Sequence, residues 1–401
     1  MMDIGTPAAG AVSLGMVAQT AMVYVRDRDS EGVIRQCLSD LAVPSPEIRN
    51  GGIKEAIAEL KTRSSPRLLI VDLQGTDDAV SLVRDLADVC EPETGVIVIG
   101  EVNDIRVYRS LKTAGVVEYY FKPLVRALVM QSCHAILTGS TEQSVSRAGK
   151  LVFVLGVRGG VGATTVAVAT AWHMAENLKR RVGLLDLDLH FGDAALQLDA
   201  APTHALREAL DHPERVDELF LERGMTRIGE RLGVLAALES LEETFAVDEP
   251  AVHSLLEHLL HRYRYVFVDV PASAAPGLTQ VLHLPATTLL VSTGSLVCAR
   301  DVARLRERLG ANSAEHTTIH VLNKGGASDS LSAAEFGSAA GAVPEIVIPN
   351  AREIATASRL GAKGLQKCSA LQRGLAPLLR QLSGADPAIE RRSPLRRLLG
   401  R

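Results

Sequence analysis

The chain has 401 residues, is 47% hydrophobic but only 3% aromatic, and carries a formal net charge of -4. That length exceeds one ordinary core, so two or more domains are expected, and the charge argues against nucleic-acid binding driven by bulk electrostatics, leaving nucleic acid an unlikely partner. No run reaches the roughly 18 apolar residues that cross a bilayer. The apolar content is mostly Ala, Val and Leu, which suits an α/β protein with helices packed on parallel sheets.

Residues 1–20 have no basic segment ahead of their apolar stretch and read as a flexible start, not a secretory signal, so the chain is expected to be cytoplasmic. From residue 21 to about 135, short apolar runs alternate with helical patterns: MVYV, LLIVDL, GVIVIG and EYYF. Such alternation indicates βα units on a parallel sheet. Residues 136–149, ending in TGSTEQSVSRAG, are polar and carry no apolar period, which marks a linker. A second block, 150–385, opens on LVFVLG and continues through VGLLDLDL, YVFVDV, TTLLVST and IHVLNK; both blocks are expected to be doubly wound parallel sheets. The tail 386–401 gathers Arg391, Arg392, Arg396, Arg397 and Arg401 beside Leu395, Leu398 and Leu399. It reads either as a weak electrostatic membrane contact or as a solvated charge run, with Pro394 limiting any helix. Five cysteines, Cys37, Cys90, Cys133, Cys298 and Cys368, lack CxxC spacing and are expected as buried thiols.

Chemistry concentrates in the second block. The strand 151–155 runs into GVRGGVGATT, residues 156–165, and an amphipathic helix is expected at 166–179. Glycines at 159, 160 and 162 let a backbone approach phosphate oxygens, and a helix N-terminus adds an anion nest. Thr164 is placed to give a hydroxyl to Mg²⁺ and Thr165 to a phosphate, while Val161 and Ala163 complete the loop. Two carboxylates accompany it at predicted strand ends: Asp186 in LLDLDLHFGD, placed to orient an attacking water, and Asp269 in YVFVDVP, placed to act through the Mg²⁺ shell. Asp188 and Asp193 fit solvated or switch-region roles as readily as catalytic ones, and His190 reads as a surface residue.

RGGVGATT, LLDLDLHFGD and VFVDVP together resemble the deviant Walker A ATPases of the ParA/MinD class. Within it, DLDLHFGDAALQLDAAPTHALREAL followed by HPERVDELF is similar to the CpaE/TadZ proteins of tight-adherence (Flp) pilus assembly. The resemblance covers residues 150–365 and implies ATP and Mg²⁺ as cofactors. It also implies a homodimer sandwiching nucleotide, and pilus secretion components and a polar localisation factor as partners. In that class one lysine precedes the double glycine and a second precedes the Thr. Here Arg158 keeps a charge at the first position, and Ala163 removes it at the second. Loss of a phosphate-bound cation harms turnover more than binding, so nucleotide binding with slow or absent hydrolysis is expected. An active ATPase cycling on membrane or DNA, and a nucleotide-free scaffold, are the competing readings. Asn323 in HVLNK is placed either to meet adenine or to cap a turn; Asn350, after Pro349, lies in a stretch matching the base pocket and dimer surface, or caps a turn likewise.

The first block resembles a response-regulator receiver. Asp72 in LLIVDLQ stands at the acceptor position and Lys122, followed by Pro123, after the fifth strand. Asp27 is the one carboxylate kept from the acidic pair, Arg26 replaces the other, and Gly100 stands where a hydroxyl belongs. An arginine there substitutes its charge for a metal's while removing a ligand. That favours a degenerate receiver used for interaction or localisation over phosphorylation at Asp72.

Overall fold

The computed structural model describes residues 20–384 apart from 77, 140–148, 244, 246, 314 and 358–360. The expected flexible start, most of the linker and the arginine-rich tail lie outside the described residues. The chain divides into two compact units.

Residues 21–138, which carry the first unit, alternate β1 (Ala21–Val25), α1 (Arg28–Asp40), β2 (Glu47–Asn50), α2 (Ile53–Leu60), β3 (Leu68–Asp72), α3 (Ala79–Val89), β4 (Gly95–Gly100), α4 (Ile105–Thr113), β5 (Glu118–Phe121) and α5 (Arg126–Thr138), with Ile57–Ser64 and Asp85–Glu93 counted in the second unit. Its five strands are ordered β2-β1-β3-β4-β5 and every pair is parallel. β1, β3 and β4 are buried along their whole length, which explains why they read as unbroken apolar runs and not as alternating ones. The order reverses between β1 and β3, so their carboxyl ends open the crevice where such sheets hold ligands.

The second unit is built on eight strands ordered β13-β12-β11-β6-β10-β7-β9-β8. They are β6 (Lys150–Gly156), β7 (Val182–Asp186), β8 (Thr226–Ile228), β9 (Leu232–Leu235), β10 (Tyr265–Val270), β11 (Ala286–Ser292), β12 (His316–Gly325) and β13 (Ile346–Pro349). All pairs are parallel except the β8–β9 edge, which is antiparallel. The helices are α6 (Ala163–Glu176), α7 (Ala194–Gln197), α8 (Ala205–Asp211), α9 (Glu218–Gly224), α10 (Glu249–Arg262), α11 (Leu296–Leu309), α12 (Ala333–Ala340), α13 (Arg352–Ala357), α14 (Gly361–Lys367) and α15 (Ser369–Ser383). Chain connections leave β6 toward β10 on one side and reach β11 on the other, so the turn after β6 sits at the switch point.

The helix after that turn corrects an expectation. It spans Ala163–Glu176, starting three residues earlier than 166, and its residues Val166–Ala175 are buried all round, so it is not amphipathic. The cause is a second cover: α6 packs on β6, β7 and β10 with one side and against α15 and α14 with another. A helix enclosed in this way loses its polar stripe. All five cysteines are free and buried, as the sequence suggests. No helix among the described residues is long and apolar enough to cross a membrane.

Candidate functional site

The turn from β6 into α6 is a glycine loop whose backbone only glycine adopts at ease. Gly160 has φ +78° and Gly162, the N-cap of α6, has φ +88°. A Cβ added at Gly159 or Gly160 would meet nothing within 4 Å, so the space above the loop is open. At Gly162 it would strike the side-chain amide of Asn323 at 2.5 Å. Ala163, Thr164 and Thr165 form the first turn of α6, directing unpaired N–H groups at that open space.

The loop is gripped from the end of β12. The Asn323 Nδ2 donates to the Val161 carbonyl at 2.9 Å, and the Asn323 Oδ1 accepts the Lys324 amide at 2.9 Å. Lys324, in the left-handed region at φ +55°, donates from Nζ to the Gly160 carbonyl at 3.1 Å. Two consecutive loop carbonyls are thereby held by side chains. The sequence offers Asn323 either as a base contact or as a turn cap and gives no sign of Lys324, although both stand in the same HVLNK string.

Asp186 and Asp269 end β7 and β10 and are direct register partners. Both are buried, at 1% and 4% exposure. Asp186 is wrapped by the segment that follows it. Its Oδ1 accepts the Asp188 amide at 3.1 Å, its Oδ2 accepts the Ala194 amide at 3.2 Å, and a Cβ at Gly192 would lie 2.6 Å from Oδ2. Burial raises its pKa to about 6 against those hydrogen bonds, with the charges of Asp188 and Asp193 adding to the rise. Burial and the neighbouring Asp186 charge push Asp269 further, to about 8, opposed by a hydrogen bond with Thr164. A buried acid pair with no cationic side chain paired to it among the described residues, beside an open anion nest, suits a divalent cation bound together with phosphate. Among the described residues no group of three or more His, Cys, Asp or Glu forms a metal cluster of its own.

Arg158 is paired with a carboxylate other than these two. Its Nε donates to Asp301 Oδ2, on α11, at 2.5 Å, and Arg300 bonds the other oxygen of the same carboxylate at 3.1 Å. Burial would raise the Asp301 pKa, but the Arg300 and Arg158 hydrogen bonds hold it below the ordinary value. Nothing in the local sequence names Asp301, which lies 143 residues from Arg158. Asp188 accepts the Phe191 amide at 3.0 Å, the Asp193 carboxylate accepts the Gln197 Nε2 at 3.0 Å, and the His190 Nε2 pairs with the Glu243 carbonyl at 2.8 Å. Asn350 is exposed, and its backbone amide donates to Gly325.

In the first unit, Asp27, Asp72 and Lys122 come together at the carboxyl ends of β1, β3 and β5. The Lys122 Nζ lies 2.6 Å from Asp72 Oδ2 and 2.7 Å from Asp27 Oδ2, and 3.3 Å from Gln74 Oε1. Asp72 is fully buried and also accepts the Gln74 and Arg26 amides. Desolvation works against the Lys122 charge, but its two carboxylate partners raise its pKa overall. Burial would likewise raise Asp27, yet Lys122 and the Ser30 amide leave it lowered. One expectation is corrected here. The Arg26 guanidinium does not stand in for a metal at Asp72; it pairs with Glu55 at 3.2 Å, and Arg26 serves Asp72 only through its backbone amide. Glu55 is fixed for this by the Gly52 amide at 2.8 Å, so it draws the guanidinium toward α2. At Gly100 the hydroxyl position is filled by Tyr119, whose OH would lie 2.8 Å from an added Cβ and donates to the Val102 carbonyl at 2.7 Å.

A glycine loop at the switch point of a mostly parallel sheet, with carboxylates at neighbouring strand ends, defines the second unit as an α/β domain of the P-loop type. Residues 150–319 match the family model of cellulose biosynthesis protein BcsQ. The chain is 24% identical over 174 residues to a putative septum site-determining protein MinD of Guillardia theta, covering 43% of this chain and 63% of that protein. It thus spans about three fifths of the length of the curated relative it matches. A solved ParA family ATPase from Chlorobium tepidum is 20% identical, with 57% of this chain and 97% of that chain covered and a TM-score of 0.49. The pilus assembly protein CpaE of Caulobacter crescentus is 30% identical over 29% of this chain and 98% of that chain, with a TM-score of 0.27. The second unit is similar, by sequence, to the ParA/MinD class.

Proposed function

We propose that residues 150–385 bind ATP with Mg²⁺ and that the nucleotide stabilises a homodimer across the glycine loop, with hydrolysis slow or absent. Gly159, Gly160, Val161, Gly162 and Ala163 would surround the phosphates with backbone N–H groups, Thr165 would add a hydroxyl, and Thr164 and Asp269 would serve the metal. Bound Mg²⁺ supplies charge neutralisation between phosphate oxygens and the acid pair. The observation that carries this reading is the combination at the loop: an open, glycine-shaped anion nest beside two buried carboxylates of raised pKa, with Ala163 where a cation would stabilise transfer. Nucleotide then acts as a ligand that shifts an assembly equilibrium, which requires differential binding and not fast chemistry.

The resemblance of the FGDAALQLD segment extends this to a cellular role. The chain would be a localisation and assembly factor for a type IVb (Flp/Tad) pilus machine, its receiver-like block, residues 21–135, recruiting the dimer to the pole or the inner-membrane apparatus. The test is sedimentation of the full chain with and without ATP and Mg²⁺, alongside phosphate release. A nucleotide-dependent dimer with turnover well under about 1 per second supports the reading. A monomer at saturating ATP, or turnover at or above that rate, rejects it.

A further inference from the structure

A cavity of about 570 Å³ is lined by the start of the glycine loop, Arg158 included, and by α11, with neither carboxylate of the acid pair in its lining. Its floor is apolar, formed by Leu155, Val157, Ala275 and Leu305; its wall is one face of α11. Arg300, Arg304 and Arg308 recur on that helix every fourth residue, so they project from a single face about 6 Å apart along the axis. Arg158 completes the wall, and Asp301 is the one carboxylate in the lining.

The charges do not balance. Arg158 and Arg300 share Asp301, Arg308 bonds only neutral acceptors, the Thr279 Oγ1 at 2.6 Å and the Ala275 carbonyl at 3.5 Å, and Arg304 is exposed with no carboxylate partner among the described residues. Four guanidinium groups therefore face one carboxylate across an apolar floor. Like charges held this close repel, and an anion that enters relieves the repulsion. Every cation is arginine, whose planar fork suits two-point bonding to phosphoryl oxygens. The volume suits a small organic molecule and is far larger than one phosphate needs.

We propose that this cavity is a second anion site, distinct from the nest at residues 159–165, for a small molecule that carries two phosphoryl groups on an apolar or aromatic body. One phosphoryl group bonds Arg304 and Arg308, the other bonds Arg300 and Arg158, and the body rests on Leu155, Ala275 and Leu305. Because Arg158 also belongs to the loop, occupancy of this cavity and of the loop would be linked.

Adenosine 3′,5′-bisphosphate is a suitable probe, titrated calorimetrically into the full chain with and without saturating MgADP. The expected result is one binding event that persists under MgADP. Arg304→Glu and Arg308→Glu should each weaken it at least tenfold; Arg304→Gln should weaken it less, and the exposed Arg28→Glu should leave it unchanged. Equal melting temperatures for wild type and Arg304→Gln would show that the loss is not misfolding. Absence of binding to wild type, its disappearance under MgADP, or indifference to both glutamate variants overturns the proposal. If MgADP itself does not bind while the Arg304-dependent event remains, the cavity stands and the nucleotide reading falls.

Discussion

Asp186 and Asp269 stand side by side as register partners on adjacent parallel strands, both buried, with the Thr164 hydroxyl bonded to Asp269. The pair makes the metal-free protein sensitive to pH in a definite direction. In the native state the two carboxyls titrate near about 6 and about 8, against an ordinary value of 3.8. At these two carboxyls the folded state holds more protons than the unfolded chain, so their contribution to stability falls as pH rises. Below pH 6.5 the buried His173 and His320, both lowered to about 4 by desolvation, act in the opposite sense, which leaves the range from 6.5 to about 8 to Asp269. Melting temperature measured across that upper range without Mg²⁺ should decline, and Asp269→Asn should flatten the decline and melt higher than wild type at the alkaline end. A wild-type profile that rises over the same range would contradict the raised value of Asp269.

The grip of β12 on the loop is a stability statement too. Asn323→Ala leaves the Val161 carbonyl without its side-chain donor and should cost about 1–3 kcal/mol in urea unfolding. Gly162→Ala forces a Cβ against the same amide from a left-handed backbone and should cost about 1–2 kcal/mol from the backbone term alone. Because the two residues touch, the double variant should be less destabilised than the sum of the singles.

At the receiver-like pocket, Lys122 is the one side-chain cation on the fully buried Asp72 among the described residues. Lys122→Ala removes it and leaves two carboxylates facing each other, so unfolding should lose about 3–5 kcal/mol, the range for breaking a buried ion pair on one side. Lys122→Ala with Asp72→Asn should recover part of that loss. We also expect intact mass after incubation with acetyl phosphate and Mg²⁺ to be unchanged, since Arg26 replaces a metal ligand and Lys122 already occupies Asp72. A stoichiometric adduct would restore the phosphorylation reading.

How far the sequence reaches is visible in these same residues. The strands were legible because parallel strands buried on both faces are unbroken apolar runs, and the glycine loop because its φ requirements dictate residue type. Asp186 and Asp269 were legible because strand-end carboxylates in such sheets converge. Asp301 was not, since a partner 143 residues from Arg158 leaves no local trace. Lys324 was overlooked beside Asn323 because an exposed lysine near the end of a strand carries no local sign of the loop carbonyl it reaches. The α6 pattern misled for a different reason: burial on two sides erases the 3.6-residue period on which a helix boundary is judged. Arg26 was misassigned to the Asp72 pocket because its actual partner, Glu55 on α2, lies outside the receiver pattern and competes successfully for its guanidinium.

Ala163→Lys tests the division between holding and turning over nucleotide. If the missing cation limits chemistry, restoring it should raise phosphate release at least tenfold while changing ATP affinity less. Tighter ATP binding with an unchanged release rate at saturating ATP would mean that the substitution acts on ground-state binding alone.

The most direct test of nucleotide binding at the loop is the melting temperature of the full chain as ATP and Mg²⁺ are titrated, for wild type, Arg158→Ala and Asp269→Ala. A ligand bound only by the folded state adds about 2.7 kcal/mol at a hundredfold excess over its dissociation constant. A saturable rise for wild type, abolished in Asp269→Ala and reduced in Arg158→Ala, is the predicted result. A wild-type melting temperature that does not move at millimolar ATP would contradict nucleotide binding altogether.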